Sequence, residues 1–335
     1  MNIYIIMEPR QITAQRVMLE TLEKHQIKLY LLAFLIGSII GIAVPEPILL
    51  EKAVEPAIGI LLYSMFCQIP FHQLLKAFKN IRMMFSLMVL NFILIPLLVY
   101  GLISFLPDIT PLRLGVYLVL LTPCVDYVIF FTKIGQGDHR LMLASTPLLL
   151  IAQILLLPFY LWLFMGDEAV GIISTKPFLN SFLWLIMVPL VLAAFSEFYA
   201  KKSGKVKIYI NATAWLPVPM MAIVLFLVAG AESDRIYLHA SLITQLIPIY
   251  IAFMIFVGLL AWFISQVFIL NGKETRTLWF SGGTRNSLVV LPLALGLPTE
   301  EWATIAATVI VTQTIIELFG ELVYIRVIPF LISKT

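Results

Sequence analysis

The sequence consists of ten long apolar runs parted by short polar breaks, at 27–44, 53–70, 83–106, 114–132, 141–165, 178–199, 208–231, 242–270, 277–297 and 302–325. A helix of about 20 apolar residues crosses a hydrocarbon core of about 30 Å, so runs of this length are read as membrane spans. A soluble domain carries roughly 25% charged residues. This chain carries 12%, against 61% hydrophobic residues and a mean hydropathy of +1.00. Folded in water it would cover itself with apolar surface and precipitate. The expected fold is therefore an all-α polytopic membrane protein with ten transmembrane helices and the lipid bilayer as its solvent. Its 19 Pro and 17 Gly punctuate the runs, which excludes disorder and collagen. Cys67 and Cys124 both lie inside apolar runs, so no disulfide framework follows. The net charge of +3 gives no reason to expect a nucleic-acid partner. Residues 1–7 are too short and insufficiently basic for a signal peptide, so no cleavage is expected.

The charges sort by side. When alternate breaks are assigned to opposite faces, only Lys52, Arg113, Lys176 and Arg235 of the 22 Lys and Arg fall on one of them. Arg285 alone lies deep within a span, and the remaining basic residues, Lys28 at the very start of the first run included, gather on the other face. The positive-inside rule makes that face cytoplasmic, which places both termini inside and predicts a multi-pass protein of the plasma (cytoplasmic) membrane. The expected organisation is a cytoplasmic segment at 1–26, a five-helix half at 27–165, an external linker at 166–177 and a second five-helix half at 178–335. Because five is odd, the second half enters the membrane from the opposite side, and any repeat is inverted.

Both halves carry an interrupted fourth span. The first break is Thr122-Pro123-Cys124, and the second is Ser281-Gly282-Gly283-Thr284, with Pro292 beyond it. Matched Gly and Pro interruptions point to a transporter binding site, since irregular backbone at membrane depth is tolerated only where protein or a wet cavity satisfies it. A pair of ordinary kinks is the plainer alternative. A charge at this depth costs about 2.5–3.5 kcal/mol on insertion scales and is normally paired. Asp126 and Arg285 each lie beside a break and are expected to face one another, with Asp126 acting as proton carrier, cation ligand or counter-ion. Arg285, Asn286 and Ser287 offer donors suited to an oxyanion or carboxylate, beside the exposed amides of Gly282 and Gly283. Arg285 could equally lock helices together. Glu317 and Glu321, spaced i, i+4 near Gln313 and Thr314, could line a cation path, although Glu321 is expected to pair with Arg326. Asn91, Gln153 and Asn211 read as interhelical hydrogen-bonding amides. Cys67 reads as a packing residue, whereas Cys124 places a thiol at an interruption; one thiol does not make a metal site.

The segments Leu121-Thr122-Pro123-Cys124-Val125-Asp126-Tyr127 and 280–292, from Phe280 through Arg285 and Asn286 to Pro292, resemble the two crossing-helix segments of the bile acid:sodium symporter superfamily. Within it they look most like the branch of arsenic-resistance proteins, relatives of the arsenite-efflux permeases. The resemblance implies two inverted five-helix repeats arranged as a panel and a core domain. It also implies that the broken fourth and ninth helices cross near the midplane, with transport by alternating access. Cys124 falls at the proline-cysteine position of arsenite permeases, and Gly137-Asp138 matches their glycine-aspartate loop. In the ninth helix Asn286 stands where those permeases carry a glutamate, with Arg285 just before it. Asp126 is expected to replace that carboxylate from the other crossing helix. An arginine there also favours an anionic substrate over neutral arsenous acid. Of the sodium-site residues that the resemblance suggests, Ser145, Thr146 and Glu317 are the candidates.

The expected function is proton-coupled efflux of arsenite or a related oxyanion, and the alternative is sodium-coupled symport of an organic anion held by Arg285. No enzyme is expected, nor a cofactor beyond a coupling proton or sodium ion; a homo-oligomer is compatible with the sequence. Gly135-Gln136-Gly137-Asp138 spells the motif of an intramembrane aspartyl protease. That chemistry needs two convergent aspartates, and Asp138 is expected in a basic loop away from Asp126. Zinc hydrolysis and direct ATP driving have no motif here.

Overall fold

The computed structural model describes residues 9–43, 48–68, 80–125, 127–166, 171, 180, 182–200, 214–238 and 240–332. The principal elements are helices: α1 (Pro9–Ala43), α2 (Ile48–Phe66), α3 (Ile81–Val89), α4 (Ile95–Ile103), α5 (Thr110–Leu120), α6 (Val128–Ile134), α7 (His139–Met165), α8 (Val188–Ala200), α9 (Pro217–Leu238), α10 (Ala240–Val267), α11 (Gly272–Gly283), α12 (Ser287–Leu295) and α13 (Glu300–Leu331). A π-helical turn, Leu90–Leu94, joins α3 to α4, and another, Phe182–Met187, leads into α8. Among the described residues four helical stretches are long and apolar enough to cross a membrane: Ile81–Ile103, His139–Met165, Ser241–Val267 and Glu300–Leu331. The runs at 114–132 and 277–297 are each two helices with an interruption, at the positions of Pro123 and of the residues following Gly282-Gly283.

The helices group into two compact units, Met1–Gln68 with Phe182–Tyr237, and Ile69–Ser181 with Leu238–Thr335. In the first, α2 packs along α8, with the Tyr63 and Ser196 hydroxyls 3.1 Å apart. There α1 and α9 approach so closely that a Cβ at Gly37 would lie 2.3 Å from the Phe226 carbonyl oxygen, which only glycine permits.

In the second unit α13, buried along most of its length, contacts α5, α10, α11 and α12. The π turn has a local cause. Pro96 has no N–H to give to the Phe92 carbonyl four residues earlier, and the Tyr160 hydroxyl donates to that carbonyl instead. The turn carries Asn91, whose Nδ2 donates to Leu87 O and to Ser281 Oγ, each at 3.1 Å. This is the interhelical role expected of that amide. Gln153, by contrast, is buried with neither amide atom partnered among the described residues. Asn211 lies outside the described residues.

Residues 135–138 form a turn in which Gln136 takes φ 60°. Asp138 caps α7, its Oδ1 accepting from Leu141 N at 3.0 Å, while its own N–H donates to Thr277 Oγ1 at 2.7 Å. The buried Arg276 guanidinium donates to Gln136 O and Oε1, both at 3.3 Å, and to Ile332 O at the end of α13. The Gly-x-Gly-Asp element is therefore built as a turn and helix cap.

Candidate functional site

The two interruptions meet. Pro123 and Arg285 form an isolated antiparallel bridge, with Cys124 N donating to Thr284 O at 3.1 Å and Asn286 N to Thr122 O at 2.8 Å. In an antiparallel pair of this kind the flanking residues make the hydrogen bonds, so the missing N–H of Pro123 costs nothing.

This crossing diverts three amides from their helices. In continuous helices Cys124 N would donate to Leu120 O, Arg285 N to Ser281 O and Asn286 N to Gly282 O. Here Cys124 and Asn286 bond across the bridge, and Arg285 N donates to Glu317 Oε2 at 2.8 Å. The three deserted carbonyls would be orphaned in the interior. The Arg285 guanidinium takes all of them: Nη1 donates to Leu120 O at 3.2 Å, and Nη2 to Ser281 O at 2.7 Å and Gly282 O at 2.5 Å. Asn91 Oδ1 stands 2.9 Å from the same Nη2, whose two hydrogens are shared among these three oxygens, and the Phe253 ring centroid lies 5.6 Å from the guanidinium carbon. Arg285 is fully buried, and its positive charge sits at the C-terminal ends of both α5 and α11, where the helix dipoles favour it.

Two buried carboxylates of α13 face the same backbone. Glu317 Oε2 accepts from Arg285 N and from Gln313 Nε2 at 2.5 Å, and Tyr127 Oη lies within donating distance of Glu317 Oε1 (2.8 Å) and Arg285 O (3.0 Å). One turn on, Glu321 Oε1 stands 2.8 Å from the Thr284 hydroxyl, while Oε2 has no partner among the described residues. Glu321 is thus not paired with Arg326, as the sequence led us to expect. Five residues along a helix turn the side chain through about 140°, and Arg326 emerges on the exposed side while Glu321 is buried.

The glycines at the second break are required by close approach. A Cβ on Gly283 would lie 2.5 Å from Tyr324 Cε2, and one on Gly282 would lie 2.7 Å from Val257 Cγ1. Tyr324 cannot easily yield, because its hydroxyl donates to Met254 O at 2.5 Å. Cys124 is fully buried beside the bridge. The three residues at the second break also carry unpartnered buried polar atoms among the described residues: Arg285 Nε, Asn286 Nδ2 and Ser287 Oγ. Asn286 Oδ1 meanwhile faces Val289 N at 3.4 Å at the start of α12.

Of the candidates read from sequence, the structure brings Pro123, Cys124, Gly282, Gly283, Thr284, Arg285, Asn286, Glu317 and Glu321 to one crossing, with Ser287 adjoining. Asp126, with its expected pairing to Arg285, lies outside the described residues. Ser145 and Thr146 hydroxyls donate within their own helix, to Leu141 O and Leu143 O. The sequence did not attach Asn91 or Phe253 to the site, and it placed Ser281 in the second break and Tyr127 in the first crossing segment without giving either a role there. Asn91 had a usable signal, as a lone amide within an apolar run, whereas the others are residue types too common in such runs to stand out. Among the described residues no group of three His, Cys, Asp or Glu side chains could hold a metal ion.

No curated protein matches the chain. A family model described as the sodium bile acid symporter family matches residues 55–238, more than half of the sequence and including the first interruption. The chain therefore belongs to the sodium bile acid symporter family, whose members are membrane-embedded secondary transporters and not enzymes.

Proposed function

We propose that the protein exports arsenite or a related oxyanion across the cytoplasmic membrane, driven by protons and working by alternating access. The observation that carries the substrate class is the run of buried, unpartnered polar atoms on Arg285, Asn286 and Ser287, beside the bridge that also holds the Cys124 thiol. Nitrogen and hydroxyl donors of this kind suit an oxyanion, and a low-dielectric crossing strengthens each bond. The resemblance of the Pro123-Cys124 segment to arsenite permeases supports the metalloid.

The proton is carried by Glu321. The groups facing it and Glu317 are Arg285, Tyr127, Thr284, Gln313 and Tyr324. Donors from Arg285, Gln313 and Tyr127 converge on Glu317, which meets them as an ionised acceptor and balances the Arg285 charge. Glu321 keeps one oxygen open. Protonated, it leaves the buried cluster neutral; ionised, it leaves one net negative charge whose burial is unfavourable. That difference is what a proton gradient can act on.

The ten-helix inverted repeat is part of the same proposal. Its support is that each compact unit draws corresponding stretches from both halves, 1–68 with 182–237 and 69–181 with 238–335, and that the paired interruptions cross. Both termini are assigned to the cytoplasm by the distribution of basic residues. Arsenite accumulation in everted vesicles tests the function: it is expected to follow an imposed pH difference and to vanish in Glu321→Gln. Arsenite flux unaffected by collapsing the pH difference would refute proton coupling, and absence of arsenite flux would refute the substrate. The family match favours a second reading, sodium-coupled symport of an organic anion. Organic-anion uptake without sodium dependence would eliminate it.

A further inference from the structure

A sodium ion in a secondary transporter is held by unwound carbonyls and the C-terminal ends of broken helices. The crossing contains such a set: Leu120 O at the end of α5, Ser281 O and Gly282 O at the end of α11, and Asn91 Oδ1. Each carbonyl has lost its helical donor to the crossing or to Glu317. Two helix C-termini present a combined charge of about −1, which calls for one monovalent cation. The sodium that the family name implies does not fit, because the Arg285 guanidinium already stands among these oxygens. Its Nη2 alone lies within 2.9 Å of three of them.

We infer that Arg285 is a tethered cation in the place of a mobile one, so that sodium neither binds the crossing nor drives transport through it. Conduction through a bound ion requires that the ion leave, and a guanidinium anchored to the chain cannot be released to either side. The crossing is therefore permanently charge-compensated, and the driving ion must act elsewhere, as a proton on Glu321 does. This deepens the proton-coupled reading and rests on its transporter mechanism, but it does not depend on arsenite as the cargo.

The test needs no substrate. Purified wild-type protein, Arg285→Lys, Arg285→Gln and Arg285→Ala are melted in sodium chloride and in choline chloride at equal ionic strength, and binding of radiolabelled sodium is measured alongside. The wild type and Arg285→Lys, each with its own tethered cation, are expected to melt alike in both salts and to bind no sodium. Arg285→Ala and Arg285→Gln are expected to melt lower in choline and to regain roughly 2–5 °C in saturating sodium. Recovery of these variants only when sodium is present during purification is the same result. A saturable sodium-dependent rise in the wild type, or Ala and Gln variants that melt alike in both salts or fail to fold in either, would overturn the inference. Loss of the proton-driven arsenite reading would leave these melting curves unchanged, so the two failures are distinguishable.

Discussion

Glu317 holds the crossing by accepting, and its substitutions separate acceptance from charge. Replacement by alanine strands the Arg285 and Gln313 amides near a void, while the Tyr127 hydroxyl keeps Arg285 O. Each stranded donor costs about 1–3 kcal/mol, so Glu317→Ala is expected to lower the melting temperature severely or to prevent purification. Glu317→Gln is expected to melt closer to the wild type, because Tyr127 can turn its proton to Arg285 O and accept from the new amide. Equal melting of the two variants would refute this account. At Gly283 a methyl group meets the pinned ring of Tyr324, and Gly283→Ala is expected to cost about 1–3 kcal/mol, read as a lower melting temperature. The importance of Arg285 was legible in the sequence, since a charge in an apolar run must be compensated. Its partners were not legible. Backbone carbonyls satisfy it, and these carbonyls are displaced from their helical donors by contacts between residues distant in sequence, 162 positions apart at the Pro123–Arg285 bridge and 32 apart where Arg285 N turns to Glu317.

Helices in this chain end and bend where identifiable atoms require it. The α3 to α4 passage shows this at Pro96, whose missing N–H leaves the Phe92 carbonyl to Tyr160. Tyr160→Phe removes that donor without changing the ring, and is expected to destabilise the protein by about 1–3 kcal/mol. A melting curve unchanged by Tyr160→Phe would mean that the carbonyl finds another donor. At the opposite end of α11, Asn271 and Glu274 form a reciprocal capping box, and the Asn80 amide that caps α3 also donates to Glu274 Oε1 at 2.5 Å. One carboxylate therefore ties two helix starts together. Composition made the helical, membrane-spanning class legible, and the Pro123 and Gly282-Gly283 signals located both interruptions. The π turns escaped, because a single extra backbone residue leaves no mark on hydropathy. So did the central position of α13, since every apolar run looks equally suited to burial when lipid is as apolar as protein.

Alternating access makes a demand on the whole molecule that the two cysteines can report. Cys124 is fully buried at the crossing and Cys67 lies in the other compact unit, so Cys67→Ser leaves one thiol at the proposed site. A transporter opens its site to the two sides of the membrane in turn, whereas a fixed helical scaffold keeps the crossing closed. Cys124 in the Cys67→Ser protein is therefore expected to react with membrane-impermeant maleimides added from either side of oriented vesicles, at rates far below that of free cysteine. Because only the thiolate reacts, the rates must be divided by that of a free thiol at each pH before they report opening. After that correction, labelling is still expected to vary with pH, since loss of the Glu321 proton adds a negative charge to the buried cluster and changes the relative cost of closed and open forms. Glu321→Gln removes the titrating carboxyl while its amide oxygen can still accept from Thr284, so it is expected to remain folded and to abolish the residual pH dependence. Labelling from one side only would contradict alternating access at this crossing. Residual pH dependence that survives Glu321→Gln would move the proton to another group, and Asp126 is the residue to substitute next.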